Sequence, residues 1–388
     1  MTTTAFFHGV TVTEVDVGPR VITLPSSSVI GLVDTYTPGT GLVSADKPTL
    51  ITSLRDAVNA FGATAPITQS CAAIFQQAQA IIVAVGSAVV TGGGSQTSEI
   101  IGTETGSTRT GLQALLDAKS LLDQKPRLLI APGWSSTEAV ATAMGVLANQ
   151  LRAIAIIDGP NSTDTAATAY AALFGDKRFF LVDPEVIYYN ATSNAYVTTP
   201  SSPYVAGMFA QMDASVGFWA SPSNQLIQGI TGTSRNVEFN DGDPSCRANV
   251  LNNAFITTII RDGGFRLWGN RTLDNSGLFT FVTRVRTFDM VMDALLLGNK
   301  WAVDKGITKT YVTDVTEGLR AFMADLRNLG AVIDFDAFPD PQLNTITSLA
   351  TGKIYWDIRF TDVPPAENPI FRVSVVNDWL TEVLSTPN

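Results

Sequence analysis

The chain has 388 residues, enough for two or three domains at roughly 150 residues each. Its apolar share of 45% suits a protein that buries a core, and no apolar run approaches the ~20 residues of a membrane helix, so no membrane insertion is expected. A formal net charge of −10 disfavours non-specific binding to nucleic acid, and no nucleic-acid partner is expected. The charge is uneven: from Cys246 onward 14 Lys and Arg face 16 Asp and Glu, leaving 11 against 19 before it. Cys71 and Cys246 stand far apart and in no CxxC spacing, which points to buried free thiols rather than a disulfide framework or a zinc site. The start, MTTTAFFHGV, lacks the basic and apolar parts of a secretory signal, so the protein is expected to stay in the cytoplasm of the cell that makes it.

Residues 10–17 (VTVTEVDV) have strand composition, with Val10 and Val12 on one face and Val15 and Val17 on the other. A bulge near Thr13 and Glu14 would reconcile the two pairs, and Gly18-Pro19 then breaks the strand. Residues 28–34 open a globular region, residues 81–90 read as a buried strand, and residues 91–111, rich in Gly, Ser and Thr, read as a long mobile surface loop. A regular alternation follows. Strands are predicted at 127–131, 153–158 and 179–183, with a helix carrying Val140, Met144, Leu147 and Leu151 and another over 165–174. Strand, helix, strand, helix, strand at short spacing argues for a parallel sheet with right-handed crossovers.

Residues 221–243 are loop-rich, and a domain boundary is placed near their end. A helix is predicted over 288–297, with Phe288, Met292, Leu295 and Leu296 on one side. A stronger one carries Val315, Leu319, Phe322, Leu326 and Leu329 at helical spacing and is closed by Gly330. Residues 331–335 and 353–360 read as strands, the second with Ile354, Trp356 and Ile358 on one face and Pro364-Pro365 beyond it. The last segment starts as a strand with Phe371, Val373 and Val375 on one face and finishes as an amphipathic turn with Trp379, Leu380, Val383 and Leu384 together. Strand character at both termini, set off by prolines, leaves two readings open. The ends pair with their own chain, or they add strands to another.

No active site emerges from the residues. His8, the single histidine, sits beside the terminal strand, and a Ser-His-Asp triad would have to draw on this one terminal residue. Gly39, Gly41 and Ser44 fail the dinucleotide fingerprint for want of a third glycine, and residues 91–95 (TGGGS) lack the lysine of a phosphate loop. Asp158 and Asp183 each end a predicted parallel strand, where α/β enzymes place ligands, and they carry the alternative reading of an α/β hydrolase. No histidine or third acid stands at ligand spacing beside them, and acids commonly end strands for structural reasons. Arg261, Arg266, Arg271, Arg284 and Arg286 form a basic stretch interleaved with Phe265, Trp268, Phe279 and Phe281. That pattern admits an RNA surface, a solvated sheet edge or a protein contact. The acidic total and the absence of lysine in the stretch favour the last.

Residues 261–273 (RDGGFRLWGNRTL) resemble the signature of contractile tail sheath proteins of myophages and R-type pyocins. The resemblance extends to residues 6–22 (FFHGVTVTEVDVGPRVI), 47–52 (KPTLIT), 251–273, 281–295, 301–305 (WAVDK) and 355–368 (YWDIRFTDVPPAEN), in the family's order, with a weaker middle from about 62 to 212. It implies a multi-domain α/β and α+β protein. Residues 1–22 would be an N-terminal arm, 23–245 an outer domain with a mostly parallel βαβ sheet, 246–367 an inner α+β domain and 368–388 a C-terminal arm.

The resemblance also implies a function. Such subunits stack as hexameric rings around a tail tube, with baseplate and tail terminator proteins as further partners, and their arms add strands to neighbouring subunits. They contract without nucleotide, cofactor or catalysis. Val10, Val12, Val15 and Val17 would form the N-terminal inter-subunit strand, and Phe371, Val373, Val375, Trp379 and Leu380 the C-terminal one. Gly18, Pro19, Pro364 and Pro365 would be the joints, and the five arginines would meet the tube or a neighbour. Assembly is expected in the bacterial host cytoplasm, as part of a virion or pyocin tail.

Overall fold

Residues 21–191 and 193–380 are described by the structure, a computed structural model of the chain. The apolar run β1 (Ile30–Tyr36) is buried along its whole length. Then come β2 (Thr49–Ile51) and α1 (Leu54–Phe61), whose N-cap Ser53 accepts from Asp56 N. α2 (Pro66–Gln77) starts with a proline, where a missing N–H costs nothing, and leads into β3 (Ile82–Ala88). α3 (Gln96–Ile101), the small hairpin β4 (Glu104–Thr105) and β5 (Thr108–Arg109), and α4 (Ala118–Leu122) follow.

The regular part comes next: β6 (Leu128–Ile130), α5 (Glu138–Leu151), β7 (Ile154–Asp158), α6 (Asp164–Ala171) and β8 (Phe179–Val182). β9 (Val186–Asn190), β10 (Ala195–Thr199), α7 (Ser202–Ser215), β11 (Gly232–Thr233), α8 (Arg247–Asn253), β12 (Ile256–Arg261) and β13 (Phe265–Trp268) complete this unit.

Eight of these strands form one sheet in the order β13-β12-β8-β7-β6-β1-β3-β2. β1 runs parallel to β3 and β6, β6 to β7, β7 to β8 and β8 to β12; β2 and β13 join the two edges antiparallel. A parallel sheet is stable here because helices cover both faces. The two-residue period of a strand divides its side chains between them. Ile154 and Ile156 of β7 enter one core with α1, α2 and α7, while Ala155 and Ile157 enter the other with α5, α6 and α8. α5 lies close on β8, since a Cβ added at Gly145 would overlap the Phe179 ring.

The second unit contains α9 (Val282–Gly298), α10 (Lys309–Asn328), β14 (Val332–Pro339), α11 (Ile346–Ala350) and β15 (Trp356–Asp362). Its core joins Met290, Val291 and Ala294 of α9 to Val315, Leu319, Phe322 and Leu326 of α10 and to the β14–β15 pair. Gly330 closes α10 as its position predicts. At φ 81° it donates to Arg327 O, while Ala331 N reaches back to Leu326 O, the bond pair of a Schellman motif.

The chain is thus α/β with a smaller α+β unit, as expected, but several details differ. The predicted division at 245/246 falls inside the large sheet, because β12 pairs with β8 through Ile256↔Leu181 and Thr257↔Val182. The changeover comes between Trp268 and Val282. Residues 91–111 are not one open loop: α3 buries Ile100, and the Gln96 amide binds Val90 N and Ala88 O. α9 begins six residues before the predicted helix and buries another face. Met290, Val291 and Ala294 are inside, whereas Phe288, Met292 and Leu295 are half-buried and Leu296 is exposed. Both cysteines are buried free thiols.

Candidate assembly surfaces

β14 and β15 make a sheet of two strands. Phe335 and Ala337 on β14, with Trp356, Ile358 and Phe360 on β15, pack on the α9–α10 core. The opposite face carries Asp334, Asp336, Asp357 and Arg359, the alternation of a half-solvated sheet. A bulge at Ile333 shifts the register between Val332↔Asp362 and Asp334↔Thr361. Among the described residues each strand keeps one edge with no strand beside it. Along β14 that edge faces a groove lined by Glu317, Arg320, Ala321 and Ala324 of α10, where Arg320 Nε donates to Ala337 O at 3.0 Å.

The large sheet is finished differently. Residues 224–227 cover β13, with Asn224 N to Leu267 O at 2.7 Å and Ile227 N to Phe265 O at 2.9 Å. Covering an edge prevents unplanned pairing; leaving one open invites it.

The C-terminal segment supplies matching chemistry. After β15 the described chain forms no further strand, and Phe371, Val373 and Val375 are 87%, 88% and 96% exposed, with Trp379 and Leu380 also exposed. Of the two readings left open by the sequence, pairing with its own chain is therefore absent for residues 371–380. Large apolar side chains so exposed along one segment are unusual for a soluble surface. Val10, Val12, Val15, Val17, Gly18, Pro19 and His8 lie outside the described residues.

The arginine stretch splits in space. Arg286 is buried and grips Asp213 with both terminal nitrogens, at 2.8 and 2.6 Å, so its charge is satisfied inside the chain rather than offered to a partner. Arg284 Nε donates to Asp362 at 2.8 Å, and Arg271 forms a two-point pair with Glu367. Arg266 holds the turn beside it through Asp262 O and Asn224 O. Arg261 is exposed beside the Phe265 ring and has no ion-pair partner among the described residues. Between Arg261 and Arg266, Gly263 and Gly264 take φ of 60° and 140°, the backbone that so tight a hairpin requires.

The strand-end acids prove structural. Asp158 is buried and accepts from Gly133 N, Ser135 Oγ, Ser202 N and Ser202 Oγ, which ties the end of β7 to the starts of two helices. Burial pushes its carboxyl up, against those hydrogen bonds. Asp183 pairs with Arg235; burial raises it as well, with Arg235 opposing. No group of three or more His, Cys, Asp and Glu able to hold a metal occurs among the described residues.

A second ionic array escaped the sequence reading. Arg127, Arg152 and Arg178 stand just before β6, β7 and β8, at the opposite ends of these strands from the acids. They converge on Asp289 and Asp293, one turn apart on α9: Arg178 pairs with Asp289, while Arg127, Arg152 and Lys125 pair with Asp293. The signal was present as a basic residue ahead of each apolar strand.

Comparison with known proteins decides the family. The chain is 62% identical to a prophage major tail sheath protein of Pseudomonas aeruginosa (strain UCBPP-PA14), over 98% of this chain and 99% of that one. The chain belongs to the phage tail sheath protein family. The tail sheath protein of Escherichia phage P2 is 31% identical over 99% of both chains. Family models match in three stretches: the phage tail sheath protein central domain over 107–273, its C-terminal domain over 274–376, and the tail sheath protein Gp18 domain III N-terminal region over 27–86.

The break at 273/274 falls where the structure leaves the large sheet. The fold also matches the sheath complex of an extracellular contractile injection system, PVC, in its contracted state, with TM-score 0.72 and 18% identity over 96% of this chain and 98% of that one. The contracted helical sheath of the anti-feeding prophage matches with TM-score 0.70 and 20% identity over 96% and 99%. As a tail sheath protein, this chain is a structural subunit of a contractile tail, a role exercised through surfaces rather than an active site.

Proposed function

We propose that this tail sheath protein polymerises as stacked hexameric rings around a tail tube, and that its contraction drives the tube through a target envelope. The observation that carries this reading is a two-stranded sheet with open edges in the same chain as an exposed apolar arm. A two-stranded sheet is marginal alone and gains by adding strands. An arm from a second copy supplies them through directional backbone hydrogen bonds, which hold subunits together while the bodies reorient. Residues 10–17, by their sequence pattern, and residues 371–376 would be the two segments offered to other copies.

Arg261, projecting from its hairpin, and Arg266 beside it are the members of the basic stretch best placed to meet the tube or a neighbour. Baseplate and tail terminator proteins would close the two ends. Assembly would take place in the bacterial host cytoplasm, and free energy stored in the extended form would replace nucleotide hydrolysis. Negative-stain electron microscopy of the purified chain with its tube protein tests the reading. Hollow, cross-striated cylinders support it, and discrete particles under all conditions refute it.

A further inference from the structure

Between β15 and the exposed arm lie Val363, Pro364, Pro365, Ala366 and Glu367, and arginines from two parts of the fold hold both ends of this stretch. At the near end, buried Asp362 accepts from Arg284 Nε, in the first turn of α9, at 2.8 Å. At the far end, Arg271 grips Glu367 at two points, Nε to Oε1 at 2.7 Å and a terminal nitrogen to Oε2 at 2.6 Å. Arg271 stands three residues past β13, on the run that leaves the large sheet, and its guanidinium lies 5.5 Å from the Phe255 ring centroid. A bidentate arginine–carboxylate pair fixes orientation as well as distance. The two prolines between the anchors lock φ and favour a stiff, extended backbone. A stiff rod fixed at both ends does not bend at its middle, so Pro364-Pro365 is poorly suited to be the joint.

We propose that residues 362–367 are a rigid strut of the body, that the C-terminal arm pivots only after the next proline, Pro369, and that Arg271 is the positioning residue that fixes where the arm departs from the body. The consequence for assembly rests on the reading of residues 371–376 as a strand for a second copy. With the strut fixed to the run that leaves the large sheet, the arm of every copy departs from the same point on the body. The two anchors differ in strength. The Arg271 and Glu367 side chains are 32% and 36% exposed, whereas Asp362 is 10% exposed, so the outer pair is the weaker and opens first when the angle between copies changes.

Spin-label distances on the full chain test the strut directly. Cys71 and Cys246 are buried, so labels go to introduced cysteines. One pair is Asp325→Cys with Ala366→Cys, spanning body and strut; the other is Asp325→Cys with Ser374→Cys, spanning body and arm. The expected result is a narrow 325–366 distribution beside a several-fold broader 325–374 one. Arg271→Ala should broaden the first to match the second, and the swap R271E/E367R should narrow it again. A 325–366 distribution already broad without the Arg271 change, or still narrow with it, overturns the proposal.

Polymerisation then tests the consequence. Arg271→Ala should raise the concentration needed for cylinders about three- to tenfold, and the swap should restore it. If the unaltered chain forms no cylinders, the sheath reading fails while the strut result stands. If Arg271→Ala polymerises like the unaltered chain, the positioning role in assembly is overturned.

Discussion

Asp293 sits among three cations, and neutralising it tests how far the fold depends on that site. Burial would push its carboxyl up, but Lys125 and Arg127 outweigh burial and hold it below its ordinary value. Asp293→Asn would leave Lys125, Arg127 and Arg152 facing no charge, and urea unfolding at neutral pH should show a loss of about 3–5 kcal/mol. A carboxyl lowered by folding contributes stability above its ordinary value and loses it as pH falls through the folded value, so the two proteins should converge in acid.

Asp34 has the opposite sign. Burial pushes it up to about 6 in spite of hydrogen bonds from Thr35, Ser70 and Trp134. Its contribution is present below the ordinary value and is lost as pH rises to about 6. Relative to Asp34→Asn, the unaltered chain should therefore lose about 2–2.5 kcal/mol between pH 4 and pH 7. A difference that does not vary with pH would show that this carboxyl titrates normally.

At the scale of elements, the arm should be separable from the fold. Phe371, Val373 and Val375 are almost fully exposed, so changing all three to Asp should alter stability by less than about 1 kcal/mol while abolishing polymerisation. Comparable melting curves and sedimentation profiles for the two proteins would contradict that separation, since polymerisation would then have survived. Much of this scale was legible in the sequence. Short apolar runs such as Ile154–Asp158, closed by Gly159-Pro160, read as central strands by length and flanks, and the α10 pattern ending at Gly330 marked the helix and its cap.

What stayed hidden has a common physical origin. Apolar periodicity assigns acids to the solvent side, so Asp289 and Asp293 turned α9 the wrong way; they are buried because arginines from three strand starts meet them. β12 lies more than seventy residues after its partner β8, and no local signal reports so distant a pairing. The arginines of residues 261–286 are neighbours in sequence only; three of them serve three different carboxylates, Glu367, Asp362 and Asp213.

At the scale of the whole molecule, α9 is bound across the starts of β6, β7 and β8, and Arg286 adds a buried pair to Asp213 at the end of α7. Breaking any of these pairs strands a charge, so the two units should unfold together. Calorimetry of the unassembled chain should give one transition with calorimetric and van't Hoff enthalpies in agreement, and two resolved transitions would contradict the clamp. Arg286→Glu should accordingly lower thermal stability rather than act at a surface.

On the proposed function, such a body would turn as one piece while its arms hold neighbours through the open edges of β14 and β15. A cryo-electron microscopy map of assembled cylinders tests it most directly. The expected map shows a four-stranded sheet, with β14 and β15 in the middle and a strand from another copy on each edge. A map in which both edges stay bare, with cylinders held by other contacts, would contradict it.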